Sequence, residues 1–489
     1  MAQSRRQFIH TGCKALSATA LLSGLGRFAL VDALAQSKQP MDYKALVCVF
    51  LFGGNDSNNL VIPYTNYADY GTVRHAGTAN FAIPQDQLLQ INPGGRGLLF
   101  GFNPKLGEAA APAGEGTGPF PTLNDLWGSG NLAVVCNTGP LTQVLTRSQY
   151  RAGGTGVRPY QLFSHSDQQN LWQTAYANGP KQTGWAGTTA DKTHLGSENF
   201  PAISSVAGVT VFSTGLNTRP LVLAPAPAKI GDSLKLLRTQ DQGTIIDALT
   251  ADGDDLMPAL IRGAAQITRT ALDVSLALGS SDPTLDTAFP ITSIGNQLKQ
   301  VAKVIKFVNG NPGLGVQRQI FFASLGGFDT HTGQGAFGSD NGQLKLLRQV
   351  SQAIGAFYSA TVELGLENQV TTFTSSDFSR TFVPGGGNTG TDHAWGSHQF
   401  VVGGAVQGGD FYGQFPPLVL GTNHPMDGDS VDTDDGSNSR GRWIPTTSVE
   451  QYAATLAYWY GLAQSDRSLV FPNIATFWPD PTQSLGFMG

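Results

Sequence analysis

The chain has 489 residues, a formal net charge of −5 and only 13% charged residues. No basic patch stands out, so we expect no nucleic-acid partner. The 61 glycines, without a fixed period, are typical of long irregular loops on a rigid core, and the length is that of a large α/β domain.

The N-terminus predicts export. The run Ser4-Arg5-Arg6-Gln7-Phe8-Ile9 is a twin-arginine signature, an apolar stretch covers residues 15–25, and residues 32–35 end in a small-x-small pattern. We therefore predict a twin-arginine signal peptide over 1–35, which the twin-arginine translocase would recognise, and a single mature domain over 36–489 that is periplasmic or secreted. No later stretch has about 18 uninterrupted apolar residues, so we expect no membrane span in the mature chain.

Short apolar runs along the chain predict strands buried on both faces. In chain order, these runs cover residues 45–52, 132–136, 319–324, 370–374 and 400–402. Apolar residues at intervals of three and four predict helices over 342–364 and 449–460, and the first would join two strands in a βαβ crossover. The pattern favours an α/β fold with a central, mostly parallel sheet and helices on both faces.

The region 184–290 differs from this pattern. It begins with loops and short strands and continues into a predicted helix over 257–278, so we interpret it as an insertion or cap on the main sheet. Cys48 and Cys136 lie inside two of the apolar runs, where either buried thiols or a disulfide bond is compatible with the sequence.

Aspartates follow three of the predicted strands. Since the carboxyl ends of parallel strands meet at one edge of a sheet, these side chains are expected to lie close together. The loop before the 400–402 strand adds histidines. Carboxylates and imidazoles are ligands of zinc, manganese or calcium, so the sequence predicts a divalent metal site. The candidate ligands are Asp56, Asp329, His331, Asp377, His393 and His398.

Each candidate ligand also has a structural interpretation. Asp56 and Asp377 resemble loop or helix-capping carboxylates, and His398 is compatible with a half-buried histidine whose polar atoms are paired inside the protein. Asp329 and His331, two residues apart after Gly326-Gly327, would alone be compatible with an ordinary turn. The presence of several such residues in neighbouring loops favours the metal interpretation.

Two further residues are candidates for catalysis. In the run "FSHSDQQNLWQT", Ser166 and Gln169 have the spacing of a capping box and predict a helix start. Ser164 would then lie beside a helix N-terminus, where backbone N–H groups favour an anion, and it is our candidate nucleophile. Arg380 follows the 370–374 strand and would clamp an anionic substrate oxygen. A polar-loop serine and an exposed loop arginine are the alternatives.

Several segments in a fixed order resemble one bacterial family. They are "FLFGGNDSNNLVIPY", "SHSDQQNLWQTAYANG", "SLGGFDTH", "TSSDFSRTF", "GTDHAWGSHQFVVGGAVQGG" and "VEQYAATLAYWYGL". Together with the twin-arginine start they resemble the family called domain of unknown function 1501 over nearly the whole mature chain. Such proteins are placed in the alkaline phosphatase and sulfatase superfamily, whose members are one-metal or two-metal hydrolases of phosphate and sulfate esters. The resemblance implies an alkaline phosphatase-like fold with its active site at the strand ends.

The resemblance extends to individual residues, but it is incomplete. Asp56 resembles the first metal aspartate of the superfamily. Asp329 and His331 resemble its aspartate-histidine pair, which is more widely spaced in the phosphatases. Asp377 resembles the aspartate of a second such pair, but Phe378 stands where the histidine is expected. The later histidine corresponds to His393 or His398, and no serine clearly matches the nucleophile. The missing histidine favours a single metal or a degenerate site.

Two functional classes remain open. The first is an exported metal-dependent hydrolase of a small-molecule or polymer phosphate or sulfate ester. The second is a non-catalytic periplasmic binding or assembly protein on a degenerate version of the same fold. The first predicts that the candidate ligands converge on one ion position, whereas the second predicts that they scatter or pair with arginines.

Overall fold

The computed structural model describes residues 43–75, 80–194, 200–231, 278, 282–385, 389–420 and 440–489. The predicted signal peptide over 1–35 lies outside these ranges, as does the predicted helix over 257–278 except for its last residue.

The described strands form two sheets. The strands are β1 (Lys44–Leu51), β2 (Val61–Pro63), β3 (Leu89–Ile91), β4 (Phe100–Phe102), β5 (Leu132–Gly139), β6 (Ile203–Ser205), β7 (Leu221–Val222), β8 (Arg318–Leu325), β9 (Val370–Ser376), β10 (Ser397–Val402), β11 (Phe411–Tyr412) and β12 (Thr447–Ser448). The large sheet has the order β11-β5-β10-β9-β1-β8-β6-β7, with β12 beside β5, and β2-β4-β3 form a small sheet. In the large sheet, β10 alone among the described strands runs against its neighbours. The prediction of a mostly parallel sheet is confirmed.

Helices cover both faces of the large sheet. The described α-helices are α1 (Tyr67–Arg74), α2 (Leu123–Gly128), α3 (Arg147–Ala152), α4 (His165–Thr174), α5 (Trp185–Thr193), α6 (Ser293–Asn309), α7 (Gly342–Glu363), α8 (Val449–Tyr460), α9 (Arg467–Val470) and α10 (Ile474–Phe477). The predicted helices over 342–364 and 449–460 correspond to α7 and α8. Among the described residues, no helix has the length and apolar character that a membrane crossing requires.

Strand β1 is buried on both faces, which explains the continuous apolar run over residues 45–52. Alternate side chains of a strand point to opposite faces, and here both faces are covered. Ala45, Val47 and Val49 pack in the core that includes α6 and α7, whereas Leu46, Cys48 and Phe50 pack in the core that includes α8. Cys48 and Cys136 belong to different cores, and both are free, buried thiols.

The first part of the region interpreted as an insertion contributes to the main sheet. Helix α5 packs in the same core as α8, and β6 and β7 extend the sheet beyond β8 through parallel pairing. The short strands predicted there therefore lie at the sheet edge. Residues 232–277 lie outside the described part of the chain.

The topology brings four chain segments to one edge of the sheet. Strands β8, β1 and β9 are parallel neighbours, so their carboxyl ends lie side by side. Strand β10 pairs with β9 in the antiparallel direction, which places its amino end, and the loop before it, at that same edge. This loop precedes its strand, whereas the other three segments follow theirs, and the reversed direction of β10 explains how it joins them.

Candidate metal centre

Four side chains meet at this edge. Among the described residues, three potential ligand atoms lie within 4.8 Å of one another, one each from His165, Asp329 and His393. Asp329 Oδ1 lies 3.4 Å from His165 Nε2, 3.5 Å from His393 Nε2 and 3.2 Å from His331 Nε2. His331 Nε2 also lies 2.9 Å from His393 Nε2. One carboxylate oxygen therefore faces the Nε2 atoms of three imidazoles, and we call these four residues the histidine cluster.

The other ring nitrogen of each imidazole is held by an acceptor. His165 Nδ1 lies 2.7 Å from a carboxylate oxygen of Asp377, His331 Nδ1 lies 2.9 Å from Asp392, and His393 Nδ1 lies 2.8 Å from the carbonyl oxygen of Phe163. Carboxylates and carbonyls only accept hydrogen bonds, so each Nδ1 is the protonated nitrogen. In a neutral ring, Nε2 then carries a free lone pair.

This arrangement fits a bound cation. Ligands about 2.0–2.1 Å from a tetrahedral ion lie about 3.3 Å apart, close to the separations within the cluster. The Nε2 atom of His165 is buried and has no hydrogen-bond partner among the described residues. The Nε2 atoms of His331 and His393 face each other with no hydrogen between them when both rings are neutral. A cation shared by these lone pairs satisfies all of them.

The pKa directions support neutral imidazoles at two positions. Burial, together with the nearby Arg380, lowers the pKa of His331, and burial lowers that of His393 despite its hydrogen bond to Phe163. The hydrogen bond to Asp377 raises the pKa of His165. Burial acts to raise the pKa of Asp329, but the charges of His165 and Arg380 prevail and lower it. The cluster thus combines an ionised carboxylate with two rings, His331 and His393, that favour the neutral form. His165 favours the protonated form and would release its Nε2 proton when an ion binds.

Asp377 supports the cluster rather than facing its centre. Its side chain is fully buried, and its Oδ2 accepts from His165 Nδ1 and, at 2.9 Å, from Gln169 Nε2. A carboxylate behind a histidine fixes the orientation and tautomer of the ring and increases its basicity as a ligand. Phe378, which stands where the resemblance implies a histidine, is buried and packs against the rings of His165 and His393.

Local sequence explains how these loops approach one another. Gly53 follows β1 with φ +115°, and a Cβ atom there would lie 2.2 Å from the backbone nitrogen of Asp329. Only glycine permits this contact between the loops after β1 and β8. The two-residue spacing of Asp329 and His331 places both side chains in the cluster. The glycine thus permits close contact between these two loops.

Asp56 is not part of the cluster. It is buried and ion-paired with Arg74 of α1, and it accepts from the backbone and side-chain nitrogens of Asn58 and from Gln334 Nε2. Four donors occupy its two oxygens, so no lone pair remains for an ion. The prediction that Asp56 joins the metal ligands is not met, because an internal arginine neutralises it.

His398 also lies elsewhere. It belongs to β10, its Nδ1 accepts from the backbone nitrogen of Asn137 at 3.1 Å, and its ring packs on Phe415 and Trp443. Burial lowers its pKa to about 3, so the ring is neutral at ordinary pH. His398 is thus a fully buried histidine rather than a half-buried one, and its Nε2 has no hydrogen-bond partner among the described residues. His393 is the histidine that reaches the cluster.

Arg380 is not positioned to clamp a substrate. Its side chain is completely buried, and it donates at 3.1 Å to both Asp329 Oδ1 and the Gly53 carbonyl, as well as to Thr391. These partners are all groups of the protein itself. Arg380 therefore holds Asp329 in place instead of facing solvent.

Ser164 is the N-cap residue of α4, which begins at His165, two residues before the start that the Ser166–Gln169 spacing predicted. Its hydroxyl donates to Asp167 Oδ2 at 2.6 Å. Residues 161 and 163, both with positive φ, lead into this helix and place the Phe163 carbonyl against His393. Such strained conformations are common at functional sites.

Sequence reasoning missed His165 as a member of the cluster. Its contact with Asp377 spans 212 positions, so no local spacing reveals it. The one local feature that could have indicated His165 is its position in the polar run "SHSD" at a predicted helix start, directly after Ser164.

Comparison with known families supports part of the sequence interpretation. Residues 314–427 match the family model described as "Protein of unknown function (DUF1501)". The match confirms the family resemblance over this stretch, which includes Asp329, His331, Asp377 and His393. No curated protein sequence matches the chain significantly.

Solved structures similar to the chain include sulfatases and alkaline phosphatases. A sulfatase from Pseudoalteromonas sp. is 12% identical, with a TM-score of 0.27 over 79% of this chain and 69% of that chain. The lipoteichoic acid synthase LtaP from Listeria monocytogenes is 8% identical, with a TM-score of 0.31 over 92% of this chain and 81% of that chain. The alkaline phosphatase from the Antarctic bacterium TAB5 is 11% identical, with a TM-score of 0.24 over 75% and 92%, respectively. At these values the likeness carries no inference about activity.

Proposed function

We propose that the protein is an exported hydrolase of phosphate or sulfate esters that depends on a single divalent ion bound at the histidine cluster. The observation that carries this proposal is the common orientation of three imidazoles. Each has its Nδ1 held by an acceptor, and each directs Nε2 toward Asp329 Oδ1. Such pre-oriented rings are typical of metal sites.

The donor set narrows the choice of metal. His165, Asp329 and His393 offer two nitrogens and one oxygen, and His331 offers a third nitrogen. Imidazole suits zinc and other transition metals, and manganese accepts the carboxylate. Calcium takes oxygen ligands almost exclusively, so this set favours zinc or manganese over calcium.

The site is open on one side, as a catalytic centre requires. The side chains of Asp329 and His331 are each 46% exposed, whereas those of His165 and His393 are 28% and 22% exposed. A bound ion would supply positive charge that polarises the ester and favours the ionised form of a nucleophile. Ser164, the residue before His165, is our candidate nucleophile. Its hydroxyl hydrogen bonds to Asp167, a carboxylate that can accept the proton.

The surrounding charges fit an anionic ester. Arg440 pairs with Asp392, and Arg442 Nε donates to the His393 carbonyl at 2.8 Å, so both guanidinium groups lie beside the cluster. Together with the buried Arg380 they balance the nearby carboxylates. A divalent ion would then leave the site with excess positive charge, which attracts phosphate and sulfate groups.

Activity assays test this proposal. Purified protein, stripped with a chelator and reloaded with zinc or manganese, is assayed against aryl phosphate and aryl sulfate esters. We expect hydrolysis that disappears with the chelator, returns with the ion and is absent from His165→Ala. His75→Ala, at an exposed histidine just after α1, is the matched control and should keep full activity. Metal-independent hydrolysis, or equal activity in His165→Ala, would contradict the proposal.

A non-catalytic binding or assembly protein is the second candidate function. The observation that favours it is the pairing of Asp56 with Arg74 and of Asp329 with Arg380, which the degenerate-fold alternative predicts. In this case the protein would bind a metal at the cluster, yet the loaded wild type would hydrolyse neither class of ester.

A further inference from the structure

The Arg380 guanidinium occupies an oxygen-lined site next to the histidine cluster. Its Nη1 donates to the Gly53 carbonyl and to Asp329 Oδ1, both at 3.1 Å. Its Nη2 donates to the Thr391 carbonyl, and its Nε donates to Thr391 Oγ1 at 3.3 Å. The arginine side chain is 0% exposed. One carboxylate, two carbonyls and one hydroxyl thus surround a buried positive charge.

These four acceptors are of the kind that a hard cation binds. Calcium uses carboxylate and backbone carbonyl oxygens, and manganese accepts the same groups. Asp329 Oδ1 is shared, because it faces the histidine cluster as well as Arg380. A second ion in this position would therefore share a carboxylate with the first, as in a two-metal centre.

We propose that the Arg380 guanidinium fills the place of a second cation and limits this centre to one ion. The inference rests on the proposed function only for the ion in the histidine cluster. The neighbouring residues agree with it, since Asp56 is saturated by Arg74, Asn58 and Gln334. Phe378 is buried directly after Asp377 and offers no ligand atom.

Ion binding to Arg380 variants tests this inference. Arg380→Met keeps the aliphatic stem but removes the charge, so its acceptors lose their donors. Arg380→Lys keeps a cation in the same place. Calcium alone is the probe, because the imidazoles of the histidine cluster are poor calcium ligands. Native mass spectrometry counts the ions, and isothermal titration measures their affinity.

We expect Arg380→Met to bind one calcium ion with a dissociation constant of about 10⁻³ M or tighter, and the wild type and Arg380→Lys to bind none in this range. Calcium should also raise the melting temperature of Arg380→Met alone. If Arg380→Met folds only with calcium present, that result supports the inference as well. Zinc, measured separately, should bind to the wild type at about one ion per chain.

Four results would overturn the inference. Three of them are calcium binding to the wild type, no calcium binding to folded Arg380→Met, and failure of calcium to restore an unfolded Arg380→Met. The fourth is equal calcium binding by Arg380→Lys, because a retained charge should exclude the ion. Absence of ester hydrolysis bears only on the proposed function, since none of these measurements uses a substrate.

Discussion

Replacing Asp377 with asparagine should weaken metal binding while preserving the shape of the side chain. Asp377 is fully buried, and its Oδ2 lies 2.7 Å from His165 Nδ1. The carboxylate holds the ring so that Nε2 faces Asp329, and its charge increases the basicity of that nitrogen. The amide of asparagine is neutral and can also donate, so both effects diminish.

Loss of such a supporting partner typically costs about 10- to 100-fold in metal affinity, which is about 1.4–2.8 kcal/mol. The assay is competition for zinc between the metal-free protein and a chromogenic chelator. Asp410→Asn is the matched control, because Asp410 pairs with Arg96 beside the outer strand β11. An affinity in Asp377→Asn within about threefold of the wild type would refute the assignment of His165 as a ligand oriented by Asp377.

Three further predictions concern Asp56, His398 and Ser164. Asp56→Asn should lower the free energy of unfolding by about 3–5 kcal/mol, because Arg74 loses its buried charged partner. Zinc affinity should stay unchanged. Denaturant unfolding and the chelator assay measure these two quantities, and a parallel loss of zinc affinity would contradict the prediction. The pKa of His398 is about 3 in the folded protein against 6.5 ordinarily. Between these values the unfolded state binds the additional proton, so stability falls as pH drops through this window, by up to about 1.4 kcal/mol per pH unit. The free energy of unfolding, measured with urea at several pH values, should change less with pH in His398→Gln than in the wild type. An equal pH dependence in the two proteins would refute its attribution to His398. Ser164→Ala should lower kcat by about 100-fold or more with zinc content unchanged, and near-normal turnover would exclude Ser164 as the nucleophile.

Most of the sheet could be predicted from sequence because burial on both faces leaves continuous apolar runs. The runs 45–52 and 319–324 correspond to β1 and β8 within one or two residues, and α7 and α8 follow their periodicity. The sequence predicts short strands in the region of β6 and β7 but not their place in the main sheet. A strand of two or three residues is too short for its sequence to indicate which strand it pairs with.

The site was only partly predictable, because strand-end reasoning identifies which loops meet but not which side chains inside them pair. Asp329, His331 and His393 lie in loops that the topology brings together. Asp56 also follows a strand, but Arg74, 18 positions away, neutralises it. His165 comes from the start of a helix, and neither strand order nor local spacing connects it with the others.

Elemental analysis of the purified protein tests the central claim most directly. The account predicts about one zinc or manganese ion per wild-type chain, retained in His75→Ala and lost from both His165→Ala and the Asp329→Ala, His331→Ala double variant. Metal-free wild type that is as stable as these variants, or metal retained when His165 is removed, would contradict the assignment of the histidine cluster as a metal centre.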